Sequence, residues 1–174
     1  MPDPTEIAVI SSVLPATLTF LFQRLDRLLT SRGGEPETDV IVPAGMVGTL
    51  QLPLEPSEDV LQARRGELEL LREALADYAD GTVPARPSDH RLLRNMARTR
   101  GALEDIYRQH LTFEGEDRPA SGPFVHQAVR TVTGEATGMD SDVIAGNSRV
   151  IQDVDTVEAG GKLIGMRGRR ITRQ

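Results

Sequence analysis

The chain contains no cysteine and no tryptophan, and aromatic residues make up only 3% of it. Without cysteine there is no disulfide framework, no thiol nucleophile and no thiolate metal site. With so few aromatics the core falls to Leu, Val, Ile and Ala, which suits helices better than a β-sandwich. Positive charge is not in excess either. There are 26 acidic residues against 20 Lys and Arg, a net charge of −6, which argues against general nucleic-acid binding. A cationic leader is missing: Met1 to Glu6 is acidic and carries proline, where a secretory signal needs a basic start. A cytoplasmic location is therefore expected. Long apolar runs are also lacking. Ile7 to Phe22 is 16 residues, broken by Ser11, Ser12, Pro15, Thr17 and Thr19, and falls short of the roughly 17–25 residues that span a bilayer.

What remains, in 174 residues that are 39% hydrophobic, is room for one domain and a tail. Helical spacing of Ile7, Ile10, Val13, Leu14, Leu18, Leu21, Leu25, Leu28 and Leu29 predicts a first helix over about Thr5 to Ser31. Pro15 should kink it or mark a start near Leu14. Glu35 to Pro56 is punctuated by proline and glycine, and its apolar stretches read as an extended segment packed over helices. A second helix is predicted over Ser57 to Ala79, with Ser57 as N-cap and Glu58 and Asp59 in the first turn. A third is predicted over Ser88 to Thr112, again with a serine cap. The short loop between them makes an antiparallel hairpin. Residues 114–123 read as a linker. Beyond it the language changes to Val, Ile, Thr and Gly, with period-two alternation over Val150 to Val157. The expected fold class is mainly α: a small helical bundle (1–113), a linker, and a Gly-punctuated β-forming tail (124–174).

Within that tail Gly134–Ile144 aligns with Gly161–Ile171, 27 positions later. Gly134, Gly138, Met139 and Ile144 fall on Gly161, Gly165, Met166 and Ile171. The charges invert: Glu135, Asp140 and Asp142 fall on Lys162, Arg167 and Arg169. Two copies stacked as strands would place each carboxylate against a cation and form two stacked pseudo-repeats. Three readings of the tail stay open: stacked strands that assemble, an ordinary β-element packed on the helices, and disorder. After Glu158 the chain has no acid, while Lys162, Arg167, Arg169, Arg170 and Arg173 follow. This basic end can meet nucleic acid or anionic lipid, but it lacks aromatics for base stacking. Partnership with the acidic segment Glu135–Asp155 is the preferred reading.

No catalytic constellation stands out. His90, His110 and His126 lack ligand spacing. Asp140, Asp142 and Gly146 do not make a calcium loop, because the glycine is misplaced and the closing Glu is missing. Gly160-Gly161-Lys162 lacks the preceding Gly and the following Ser or Thr of a phosphate loop. Ser11, Ser12 and Ser57 have no recognisable base. No enzyme activity, cofactor or metal is expected.

The order of these parts resembles Bell-type bacterial signalling effectors, helical domains with an apolar N-terminal helix and a C-terminal amyloid signalling motif. It is similar in plan to fungal HeLo-domain proteins, whose tail is a two-repeat β-solenoid. The residues that carry the resemblance are Ile7 to Phe22, Ser57 to Thr112, and the doublet Gly134–Ile144 and Gly161–Ile171. Val150-Ile151-Gln152-Asp153 has the hydrophobic–Gln pattern of necroptosis-type amyloid cores but not their following glycine. The resemblance implies a role in defence or regulated cell death. A nucleotide-binding receptor with a matching tail motif would template assembly. Self-association would then release the apolar helix (Ile7, Ile10, Val13, Leu14, Leu18, Phe20, Leu21, Phe22) into the inner membrane. The alternative expectation is a soluble adaptor, scaffold or particle accessory subunit that docks through helices and tail.

Overall fold

A computed structural model describes residues 12–30, 34–145 and 148–172. The chain divides into two compact units, Met1–Ser121 and Gly122–Gln174. The first contains α1 (Leu14–Thr30), α2 (Glu58–Ala79), α3 (His90–Tyr107) and a two-residue strand, β1 (Gln109–His110). The second is built from β2 (Gly122–Val132), β3 (Glu135–Ala145), β4 (Arg149–Val157) and β5 (Lys162–Thr172). Four strands of 9 to 11 residues overturn the mainly-α expectation; the chain is α/β. The strand-forming residues are a structural unit of their own and not a small appendage to a bundle.

In the first unit α1 begins at Leu14, with Pro15 in the first turn, where its missing N–H costs no hydrogen bond. Residues ahead of 12, including Ile7 and Ile10, lie outside the described residues. Leu14, Leu18, Leu21, Leu25 and Leu28 form one buried stripe with Leu61, Leu68, Leu71 and Leu75 of α2 and Leu92, Met96, Leu103 and Ile106 of α3. Ser57 holds the N-cap position of α2, but its hydroxyl caps nothing. The cap of α3 is Asp89 and not Ser88. Its carboxylate accepts from the N–H groups of Arg91 and Leu92 and from the Tyr78 hydroxyl, and the Leu92 contact leads in holding it below the usual carboxylate range. The third helix stops at Tyr107, five residues before the expected Thr112. Arg108 takes a left-handed backbone (φ 53) and turns the chain away.

The extended segment 34–56 is closed on itself by a bridge between Glu37 and Leu54 and joined to the 113–121 segment by bridges of Met46 with Phe113 and Gly48 with Ser121, while its Leu50 and Leu54 pack in the core with the helices. At Gly48 (φ +94) a Cβ would sit 2.6 Å from the Ser121 carbonyl oxygen, so close approach and backbone both require glycine.

The expected linker is packed. Residues 114–121 belong to the first unit and are held by two charge pairs. Arg100 is bonded to Glu116, both nearly buried. Arg118 grips both carboxylate oxygens of Glu104 at 3.0 and 2.9 Å. The same acids accept backbone N–H groups: Glu104 from Leu111 and Glu116 from Phe113, each at 2.8 Å. Burial lowers the Arg100 pKa even with Glu116 beside it. A third buried pair, Arg24 to Glu37 at 2.7 Å, joins α1 to the extended segment. Phe113 is fully buried and meets Phe20 of α1 edge-on, centroids 6.3 Å apart.

Glu116→Ala removes the hydrogen-bonded partner of the buried Arg100 charge. We expect it to lower the stability of the first unit by about 3–5 kcal/mol in urea unfolding followed by helical circular dichroism. Phe113→Ala should cost about the same through the cavity it opens. Losses under about 1 kcal/mol for both would mean that 113–121 is not docked.

Candidate functional site

The second unit carries the feature that bears on function. β2 pairs with β4 and β3 pairs with β5, both in parallel. The chain therefore makes one strand–turn–strand rung, β2–β3, and then a second, β4–β5, stacked upon it. In the β3–β5 ladder Glu135 lies opposite Lys162, Ala136 opposite Leu163, Met139 opposite Met166, Asp140 opposite Arg167 and Ile144 opposite Ile171. That offset is the 27 residues of the sequence doublet.

The charged residues form a connected group. Arg167 reaches Glu135 at 2.5 Å and Asp140 at 3.7 Å, and Lys162 reaches Glu135 at 3.4 Å. Glu135 and Asp140 are five residues apart and of opposite parity. A flat strand would separate them by about 17 Å and point them to opposite faces. One guanidinium serves both only because β3 bends between them. Gly138 lies in that interval. A Cβ there would stand 2.3 Å from Val150 Cγ1 and 2.6 Å from the Gly165 carbonyl oxygen, so β3 approaches both β4 and β5 where only glycine fits. The hydrogen bond from Arg167, helped by Lys162, holds the Glu135 carboxyl below the usual carboxylate range. Asp142, Ile144 and Ile171 lie on the paired strands, but their side chains are outside the described set. Arg169 is exposed on β5.

The β2–β4 ladder is a second repeat that the sequence reading missed. Its offset is 25 residues. Val125, Gln127, Val129, Thr131 and Val132 lie opposite Val150, Gln152, Val154, Thr156 and Val157, five identities among eight paired positions. The offset changes because the turns differ in length. Thr133-Gly134 joins β2 to β3, whereas Glu158-Ala159-Gly160-Gly161 joins β4 to β5, two residues more. The longer turn sits on the shorter one. Glu158 N–H donates to Val132 O (3.0 Å) and Lys162 N–H to Gly134 O (2.7 Å). Gly160 takes φ +92, and a Cβ on Gly161 would lie 2.5 Å from Val132 O. Gln152 Nε2 donates to Gln127 Oε1 across the rungs (3.0 Å), and Gln127 Nε2 donates to Thr137 O of the facing strand (3.4 Å). The glutamines stack on their own kind because an amide is both donor and acceptor.

Three of the four strands have an open edge. Among the described residues, β3 and β5 form a sheet of two strands only, and β4 ends the other sheet, in which β2 is an interior strand. Apolar side chains of the second rung are the more exposed. Val132 is 4% exposed and its partner Val157 46%. Leu163 and Met166 are exposed where Ala136 and Met139 are half-buried.

The proposed membrane helix is placed differently. Leu14, Leu18, Phe20 and Leu21 are buried in the core of the first unit, and Val13 and Phe22 are half-buried. No helix of the described residues is long and apolar enough to cross a membrane. Among the described residues no cluster of three or more His, Asp or Glu is placed to hold a metal. A groove of about 570 Å³ between α1 and α2 is lined by Phe22, Leu29, Ala76, Glu69 and Glu73, with Arg72 bonded to Asp26.

No protein-family model, curated protein or solved structure matches the chain.

Gly138→Val should prevent the rungs from closing, seen as loss of β circular dichroism with helical signal retained. A normal β signal would show that the close approach is not required. Glu135 contributes stability that is present above the ordinary carboxylate range and lost as pH falls through its depressed value. Acid should therefore loosen the second unit, and Glu135→Gln should flatten that dependence as the pH falls below the ordinary carboxylate range. An unchanged pH profile in the variant would remove Glu135 from the network.

Proposed function

We propose that this protein is a non-enzymatic signalling effector of bacterial defence or regulated cell death, switched by head-to-tail stacking of its C-terminal rungs. The observation that carries the reading is the inverted charge of two parallel rungs, with unpaired edges on β3, β4 and β5. Glu135 and Asp140 belong to the first rung, and Lys162 and Arg167 to the second. A second copy placed with its first rung on this second rung repeats the same pairing. Acid on acid, or cation on cation, would repel. The contact is thus heterologous and does not close, the kind that makes a filament. Unpaired strand edges supply the backbone hydrogen bonds, and the exposed Val157, Leu163 and Met166 supply apolar surface for the incoming rung. The natural partners are further copies of the chain and a receptor that bears a matching repeat.

The burial of α1 favours a second reading of the output. Exposing Leu14, Leu18, Phe20 and Leu21 would dismantle the core, whereas an adaptor would keep the helical unit folded and cluster it for a partner. Both readings share the assembling tail.

The full chain should form thioflavin-positive fibres whose diffraction shows a ~4.8 Å repeat. Glu135→Lys with Asp140→Arg should abolish them, and adding Lys162→Glu and Arg167→Asp should restore them. A soluble monomer under all conditions, or no rescue by the fourfold reversal, would overturn the stacking scheme. Leakage of dye from liposomes by assembled protein would favour the effector; assembly without leakage would favour the adaptor.

A further inference from the structure

We propose that the open space beside Gly165 on the second rung is the slot that seats the next copy of the chain, entered by that copy's Val125 and Gln127. The slot rests on the stacking reading above and gives it the contact that decides whether a copy can be added.

Gly138 and Gly165 hold the same place in the two rungs. Their neighbours pair as Thr137 with Ile164 and Met139 with Met166, so Gly165 lies opposite Gly138 at the offset of 27. Neither has a left-handed backbone, so the backbone alone asks for glycine at neither. Their surroundings differ. A Cβ on Gly138 would meet Val150 Cγ1 at 2.3 Å, the Gly165 carbonyl oxygen at 2.6 Å and Gln152 Nε2 at 3.3 Å. All three belong to the second rung. A Cβ on Gly165 would meet nothing within 4 Å. The first rung is thus closed by the second, and the second has the same opening with nothing in it.

Glycine inside a strand weakens it and marks a place where another backbone or a ligand comes close. Gly138 meets that description within one molecule, and Gly165 does not. It does so once a second copy lies on the second rung in the register that the first rung already shows.

The occupant follows from the repeat. Val150 and Gln152 lie opposite Val125 and Gln127 at the offset of 25. A copy whose first rung continues the stack brings its Val125 and Gln127 to Gly165 as Val150 and Gln152 come to Gly138. Its Gly138 carbonyl takes the place that the Gly165 carbonyl holds inside the molecule. The entering side chains are again one valine and one glutamine. Gln152 Nε2 donates to Gln127 Oε1 at 3.0 Å, and Gln152 Oε1 can accept from the incoming amide, which extends the ladder. Charge agrees with this placement: the incoming Glu135 and Asp140 fall over Lys162 and Arg167, both exposed. Although β2 is an interior strand of its sheet, β1 is only two residues long against its eleven, so most of that edge can receive the β4 of a neighbour.

The full chain is compared with Gly165→Ala and Gly165→Val. In dilute solution, before fibres form, both variants should keep the β circular dichroism that Gly138→Val loses. Valine is the better strand former and by itself favours fibres. A slot predicts the reverse. Gly165→Ala should raise the concentration needed for thioflavin-positive fibres about tenfold or more through overpacking, and Gly165→Val should form none. Added to preformed fibres of the unaltered chain, Gly165→Val still offers an intact first rung. It should cap the end that shows a second rung and slow elongation. Fibres of either variant at the concentration that suffices for the unaltered chain, or elongation that is not slowed, would overturn the slot and leave rung stacking in place. Loss of the β signal in dilute Gly165→Ala would overturn it too, because the glycine would then serve the fold. An unaltered chain that stays monomeric at every concentration would remove the stacking reading and the slot together.

Discussion

Parallel strands in register place every side chain against its counterpart one rung away. Everything distinctive about the C-terminal unit answers that constraint. Carboxylate over carboxylate would repel, so Glu135 and Asp140 meet Lys162 and Arg167. An amide can stack on an amide, so Gln127 meets Gln152 unchanged. Aliphatic residues also repeat without cost, as Val125, Val129 and Val132 do. Glycine is kept where two backbones come too close for a Cβ, at Gly138 and Gly161. The composition of the tail is thus set by what can lie on top of itself.

The helical unit solves a different problem with buried charge. Breaking one member of a buried pair is costly even where the pair itself adds little. Arg24–Glu37, Arg100–Glu116 and Arg118–Glu104 therefore fix how the irregular segments dock on the helices. Glu104 and Glu116 also receive the backbone N–H groups of Leu111 and Phe113. The apolar side of α1 is enclosed by the same arrangement, and the exposed large hydrophobics of the first unit lie elsewhere, at Ile41, Val42, Val47, Leu52 and Leu70.

Much of this was legible in the sequence, and the misses have physical causes. Leucine spacing placed α2 within one residue, and Pro15 marked the start of α1 at Leu14. Inverted charges placed Glu135 opposite Lys162 because charge is conspicuous in a string. The β2–β4 repeat has more identities, yet it escaped notice: its offset is 25 and not 27, and a single fixed period cannot find both. Two extra turn residues at Glu158–Gly161 hid it. The sharing of Arg167 by Glu135 and Asp140 depends on a bend at Gly138, and strand periodicity alone carries no bend. Residues 114–121 have the charge and glycine of a solvated linker, but their acid and base find partners in Glu104 and Arg100, distant in sequence. The mainly-α expectation failed in its weighting. The tail expected to form strands over 124–174 does so in four strands of 9 to 11 residues, which count for as much in the fold class as the three helices.

The central claim is that two rungs lie in parallel register within one molecule. Since the chain has no cysteine, an introduced pair reports without background. Met139→Cys with Met166→Cys places the two Cα atoms at the ~4.8 Å spacing of neighbouring strands, within the range a disulfide bridges. Met139→Cys with Ile164→Cys is two residues out of register. Under mild oxidation in dilute solution the first pair should close rapidly within the monomer and the second should not. Equal closure of both pairs, or closure of neither, would contradict the register on which the account rests.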